Sequence, residues 1–432
     1  MSPLNPKRTV QELKDLRALT GDENGAWRVA WTDTWLKARA FMREKTDALG
    51  LETHMDAAGN VWSTLPGESP VELLIGGHID SVPGGGWLDG CLNVIAGLEV
   101  VRRIKEEYDG RPPVTVRLVD WADEEGARFG RSLLGSSAAG GTLVPDEERH
   151  RKDADGVLLV DALRRCGVDL DTMNDAHAEL RNAGAYLELH IEQGPVLLDL
   201  DLPLGVVLGT FGVERHGIHF RGQAAHSGST PMNRRRDAFL AAGKMSQEIY
   251  DITDDLGGVC TIGSCGTRPG IVTSVVAECD ITLDQRHLDR VALTKMYERA
   301  VGASERFAAE GGVEVAWSRI WGIDPMPFHP ELIELAEEAV REASGTTQRL
   351  PSGPLHDAAE VARAGIPTIM LFVQSLHGIS HNKIEDTKEE HIEQSVVALD
   401  KLASKTIAWL RRLAGRWRPR PPLSPPPAGP PA

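Results

Sequence analysis

The sequence predicts an α/β chain: a mixed-sheet domain interrupted by a small α+β unit. Three observations carry this. Apolar strand patterns alternate with helical ones over both ends of the chain, the pattern of a sheet covered on both faces. Residues 208–326 instead show half-exposed alternating strands between amphipathic helices. The first pattern then resumes after Pro325 and Pro327. At 432 residues the chain is too long for one ordinary core. The expected domains are therefore 1–207 with 327–415, and 208–326 inserted between them.

In chain order, residues 28–49 read as a helix with Trp31, Trp35, Ala38 and Met42 at helical spacing. VELLIGGHI (71–79) is a buried strand, CLNVIAGLEVVRRIKEE (91–107) a helix, and VTVRLVDWA (114–122) a strand. AYLELHIEQ (185–193) and IPTIMLFV (366–373) are further strands. In the insertion, 213–226, 273–287 and 312–319 read as strands, and 234–253 and 289–310 as helices. From Pro419 the chain holds 8 of its 26 prolines and reads as an extended appendage; residues 416–432 are expected to be disordered.

Composition excludes several classes. A formal net charge of −16 repels phosphate backbones, so no nucleic-acid partner is expected. No stretch approaches the ~20 apolar residues of a membrane span, and the N-terminal residues lack the apolar core of a secretory signal. Five scattered cysteines without a CxxC pair suit free thiols in a cytoplasmic protein.

Four segments carry candidate chemistry. In GGHIDSVPGGGWLDG (76–90), His78 and Asp80 lie two apart at a strand end and point to the same side. Asp80 can then orient the His78 ring for a metal. Asp89 follows a glycine-rich turn, where a carboxylate could bridge two cations. In VDWADEEGARFG (119–130), Glu124 and Glu125 are adjacent, so their side chains diverge. One can bind metal while the other takes a proton from water, the division of labour that hydrolysis needs. In LELHIEQGP (187–195), His190 ends a strand. HGISHNKIED (377–386) offers His377 and His381, between which local pattern does not decide. SGPLHDA (352–358) adds His356 and Asp357 before a helix. Each segment alone is ordinary. Together they all sit at or past the C-terminal end of a strand, where α/β folds gather functional groups.

These motifs, in this order from about residue 10 to about 413, resemble the zinc-dependent amidohydrolase branch of the aminoacylase and carboxypeptidase superfamily. That branch holds N-carbamoyl-L-amino-acid hydrolases, beta-ureidopropionases and allantoate amidohydrolases. The resemblance implies a catalytic domain of the zinc exopeptidase type with an inserted lid and dimerisation domain. It implies two divalent ions per subunit (zinc, with manganese, cobalt or nickel as alternatives) held by His78, Asp89, Glu125, His190 and His381, with Asp89 bridging. Glu124 would be the general base and acid, and Asp80 would orient His78. A histidine at the position of His190, where peptidases of the superfamily usually carry an acid, favours the carbamoylase branch. His226 in AAHSGSTPM (224–232) would reach the partner subunit's site and stabilise the oxyanion. Arg286 in LDQR (283–286) would clamp the carboxylate of a small substrate, and Gln193 would hydrogen-bond it.

The implied reaction is hydrolysis of an N-carbamoyl-L-amino acid to amino acid, carbon dioxide and ammonia. Allantoate or ureidoglycolate hydrolysis is the nearest alternative, and dipeptide or N-acyl amino acid hydrolysis a further one. Two departures bear on substrate choice. Thr273 stands where the family often has asparagine, and Pro354 stiffens the loop in SGPLHDA.

Overall fold

A computed structural model describes residues 4–415 and 417–420. The chain is α/β with a mixed central sheet. It divides into two compact units: one from residues up to Leu208 and from Phe328 onward, the other Gly209–Pro327. The expected proline-rich tail lies, from residue 421 on, outside the described residues.

The first unit is built on four parallel strands. In sheet order these are Thr368–Val373, Ala183–Ile191, Glu72–His78 and Thr115–Trp121. Each is almost wholly buried, which explains their unbroken apolar character. Antiparallel strands flank them: Leu204–Thr210 beside Thr368–Val373 on one side, Val61–Leu65 and Glu52–Met55 on the other. Because the four central strands are parallel, their C-terminal ends share one edge of the sheet. His78, His190 and the turn after Trp121 are all delivered there.

Helices Cys91–Glu107 and Glu389–Ala414 pack on these strands, and helix Pro6–Thr20 lies across both. The first helix follows a glycine at φ 66°, Gly90. The helix expected over 28–49 starts only at Asp33. Thr32 caps it, accepting from Trp35 N at 3.4 Å. Trp31, at φ 64°, stays outside and donates its indole N–H to Asp123 at 2.7 Å.

The second unit is a four-stranded antiparallel sheet with two helices, Ala238–Leu256 and Arg290–Gly311. The sheet order is Val259–Arg268, Glu278–His287, Gly212–Arg221, Glu314–Ile323. Sequence patterning overlooks the first of these. It is an edge strand, VCTIGSCGTR, with most positions exposed, so it has little apolar alternation to read. The stretch 273–287 is also two strands, a short Ser274–Val275 and the long Glu278–His287. Ser274–Val275 pairs with Ala225–His226.

Candidate functional site

His78 is the last residue of its strand and His190 the penultimate residue of the next. Both rings are buried. The Nδ1–H of His78 is held by the Asp80 carbonyl at 3.1 Å, and that of His190 by the Ile191 carbonyl at 2.8 Å. Both Nε2 atoms are therefore turned toward the same carboxylate, Asp89. His190 Nε2 lies 3.2 Å and His78 Nε2 3.8 Å from Asp89 Oδ1. The other oxygen, Oδ2, lies 3.5 Å from His381 Nε2, which in turn is 3.3 Å from Glu125 Oε2.

The five donors thus form two groups, His78–Asp89–His190 and Asp89–Glu125–His381, with Asp89 common to both. Donor atoms around a four-coordinate cation with bonds of about 2.0–2.1 Å are roughly 3.3 Å apart. The spacings of 3.2, 3.3 and 3.5 Å are close to that value. His78 Nε2 and Glu125 Oε1 are buried without a hydrogen-bond partner. The residues present therefore fit one divalent ion per group. His377 is exposed and belongs to neither group.

Glycine makes the approach possible. A Cβ at Gly90 would lie 2.2 Å from the His78 ring, so any side chain there would push Asp89 and His78 apart. At Gly86 it would lie 1.9 Å from the Glu385 carboxylate.

Glu124 stands beside both groups, its Oε2 3.8 Å from His78 Nε2. Burial, with Glu125, Asp357, Asp80 and Asp89 nearby, pushes its carboxyl well above the usual range. Burial and the same kind of crowding raise Glu125. Burial lowers His78 to about 3, despite Asp89. Burial alone would also lower His190, but the Asp89 hydrogen bond and charge outweigh it and hold the ring at about 9. The site is a buried excess of carboxylate, an environment that a bound cation relieves.

Asp80 differs in detail from its expected role. Its carbonyl, not its carboxylate, makes the close contact with His78; the nearer carboxylate oxygen is 3.7 Å from Nδ1. The carboxylate instead accepts the backbone N–H groups of Glu124 (3.3 Å) and Glu125 (3.2 Å). One residue thereby fixes both the His78 ring and the turn bearing the two glutamates.

Gln193, at φ 60°, donates its amide to Asp89 Oδ2 at 2.9 Å and Ser380 Oγ at 3.2 Å. Its Oε1 is buried and unpartnered. With Asp89, Glu124, Glu125, His190, His356 and His381 it lines a cleft of about 630 Å³. Pro354 and Leu355 complete one wall.

Two supporting residues, Glu385 and Glu188, escape sequence reading. Glu385 accepts from Leu88 N (3.1 Å), Asp89 N (3.0 Å) and Ser380 Oγ (2.9 Å), so it pins the Asp89 loop. Nothing local announces a contact across nearly 300 residues. Glu188 accepts from Tyr186 OH (2.8 Å) and Ala358 N (3.0 Å). Its spacing of two from His190 is the signal that it shares that face. His356, noted on its loop, packs its ring 4.4 Å from that of His190 and contacts Ser352 Oγ at 2.9 Å.

His226 and Arg286 belong to the second unit. His226 is exposed, and its Nδ1 accepts from Gly228 N (3.1 Å) and Ser229 N (3.2 Å). With Nδ1 accepting, the ring hydrogen is on Nε2, a donor. Arg286 donates to Asp284 through Nε at 2.8 Å. Thr273 accepts from Ser227 N at 3.0 Å through its carbonyl, next to the His226 pairing.

The sequence matches the group described as Peptidase family M20/M25/M40 over residues 74–405. It is similar to an N-carbamoyl-L-amino acid amidohydrolase of Geobacillus stearothermophilus, 34% identical over 371 residues, covering 85% of this chain and 90% of that protein. It is also similar to an allantoate amidohydrolase of Escherichia coli K12, 32% identical over 389 residues, with 89% and 93% covered. Among solved structures, a hydantoinase/carbamoylase family amidase from Burkholderia multivorans superposes with a TM-score of 0.82 at 31% identity, covering 93% of this chain and 98% of that one.

Proposed function

The chain belongs to peptidase family M20/M25/M40 and is a hydrolase of amide C–N bonds, and from that premise we propose that it hydrolyses N-carbamoyl-L-amino acids to amino acid, carbon dioxide and ammonia. The observation that carries the hydrolytic reading is the pair of donor groups sharing Asp89 beside an independent carboxylate, Glu124. The carbamoyl substrate is supported by His190 in the donor set and by the similarity to the Geobacillus stearothermophilus protein. Allantoate is the second reading, supported by the similarity to the Escherichia coli protein.

Enzymes of this family use divalent metals. In our reading His78 and His190 hold one ion, Glu125 and His381 a second, and Asp89 both; zinc suits these nitrogen and oxygen donors. Bound there, the ions would acidify water and polarise the scissile carbonyl. Glu124 takes the proton of the attacking water and returns it to the leaving nitrogen. Asp80 keeps His78 and the Glu124 turn in register. The unpartnered Oε1 of Gln193 accepts an N–H of the ureido group. Pro354 and Leu355 exclude water from one side of the cleft.

Arg286 pairs the substrate carboxylate with its planar fork, and His226 donates its Nε2–H to the oxyanion of the partner's substrate. Homodimerisation through the second unit is supported by its exposed apolar side chains. Phe239, Leu240 and Tyr250 lie on helix Ala238–Leu256, Val259 starts the adjacent edge strand, and Val272 is 98% exposed. An apolar face beside an open strand edge is the kind of surface a second copy covers. No helix among the described residues is long and apolar enough to cross a membrane. A cytoplasmic location is our reading of the free thiols.

The deciding experiment is a panel of N-carbamoyl-L-amino acids, allantoate, ureidoglycolate and dipeptides, scored by ammonia and amine release. Preference for carbamoyl amino acids is expected; preference for allantoate or for dipeptides would replace that assignment. Within the panel, Arg286→Ala should raise KM for carboxylate substrates about tenfold or more with a smaller change in kcat, the loss of a charge-assisted pair. An unchanged KM would count against a substrate clamp at Arg286.

A further inference from the structure

The second unit contains a cleft of about 530 Å³ that the hydrolytic reading does not use. Glu214, His216, Tyr297, Trp317 and Arg319 line it. His216 stacks on Tyr297 with ring centroids 4.7 Å apart, and Trp317 meets both rings edge-on. The indole is fixed by its N–H to Ser304 Oγ at 3.0 Å. One wall is therefore a rigid aromatic surface.

Two opposite charges stand at its mouth. Arg319 Nη2 lies 2.9 Å from Glu214 Oε1. The strand Glu314–Ile323 changes register between Arg319 and Trp321, a bulge of the kind that re-aims a side chain. Gly322 leaves open the space beside the Arg319 guanidinium, where a Cβ would lie 2.2 Å from Nη2.

Buried polar groups on this face of the sheet lack partners. His216 is only 4% exposed, and its Nδ1 makes no hydrogen bond. Burial, countered by Glu214 and reinforced by Arg319, lowers its pKa. Gln285 is the direct neighbour of Glu214 on the adjacent strand, so both side chains share a face. It is fully buried, and both its amide oxygen and nitrogen are unpartnered. Unpaired buried polar groups are costly, and a ligand in the cleft is one way to satisfy His216, which lines it.

We propose that this cleft is a second small-molecule site that takes a free α-amino acid with an apolar or aromatic side chain. The ammonium would meet Glu214, the carboxylate would meet Arg319, and the side chain would lie on the Tyr297–Trp317 wall. A simple anion would face Glu214, and a simple cation would face Arg319. A zwitterion replaces the internal pair with two new ones and offers hydrogen-bonding atoms to His216. The proposal goes beyond the hydrolytic reading and does not depend on it.

The test is calorimetric titration of the full chain with L-leucine and L-phenylalanine, with N-acetyl-leucine and leucinamide as singly charged controls. Amino acids should bind the wild type and also Arg286→Ala, which lacks the proposed active-site clamp. Binding to Arg319→Gln and to Glu214→Gln should weaken at least tenfold. Both substitutions are at the rim, and circular dichroism would confirm that each variant is folded. The proposal is overturned if no amino acid binds, or if binding is lost in Arg286→Ala and intact in Arg319→Gln. Equal affinity for either control would overturn the zwitterion assignment. None of these outcomes depends on turnover, so failure of the carbamoyl reading would be seen separately in the substrate panel.

Discussion

Glu124→Gln is expected to lower kcat by about 100- to 10,000-fold, the range for losing general acid–base catalysis, with metal content unchanged. Its carboxylate lies beside both donor groups without being part of either. The amide keeps the shape and removes the proton acceptor. Glu125→Gln should behave differently, because Glu125 Oε2 stands with His381 and Asp89 in one donor group. Its main effect should be loss of about one ion per chain, with activity falling as a consequence. Elemental analysis beside steady-state kinetics separates the two. Loss of metal from Glu124→Gln, with normal turnover after reloading, would reverse the assignment of the pair.

The second large effect is expected at His226. Loss of an oxyanion donor typically costs about 100- to 1,000-fold in kcat. His226→Ala should show that drop with little change in KM. Its Nδ1 also caps the turn at Gly228 and Ser229, so a purely local role would show as reduced stability with kcat retained. Mixing decides whether the donor acts across subunits. Chains carrying His226→Ala and chains carrying Glu124→Gln are each nearly inactive. A mixed dimer would assemble one site with Glu124 from one chain and His226 from the other, so activity should return. Confirmed subunit exchange without recovered activity would confine His226 to its own chain.

The sequence makes the centre of the fold easy to read and its margins hard. Helix Cys91–Glu107 is legible to the residue because its apolar positions recur without interruption after Gly90. The strand ending at His78 is legible because it is buried on both faces. The edge strand Val259–Arg268 is not, since exposed positions impose no apolar pattern. The start of helix Asp33–Ala48 is misjudged for another reason: Trp31 keeps the helical spacing but its indole is drawn to Asp123.

The candidate site divides in the same way. His78, Asp89, Glu125, His190 and His381 announce themselves at strand ends, and the fold brings them into two overlapping groups. The residues that hold them are less visible. Glu385 reaches the Asp89 loop through backbone N–H groups, which leave no mark in local pattern. Local pattern does not choose between His377 and His381; the resemblance picks His381, and the fold sets it beside Asp89 and Glu125.

Metal reconstitution tests the central claim most directly. The protein would be stripped with a chelator, then titrated with zinc, manganese or cobalt while bound ions and turnover are measured together. Activity should be absent in the stripped protein and return as occupancy approaches two ions per chain, and Asp89→Asn should fail to hold either ion under the same conditions. Full turnover in rigorously metal-free protein, or two tightly held ions in Asp89→Asn, would contradict a site built on one shared carboxylate.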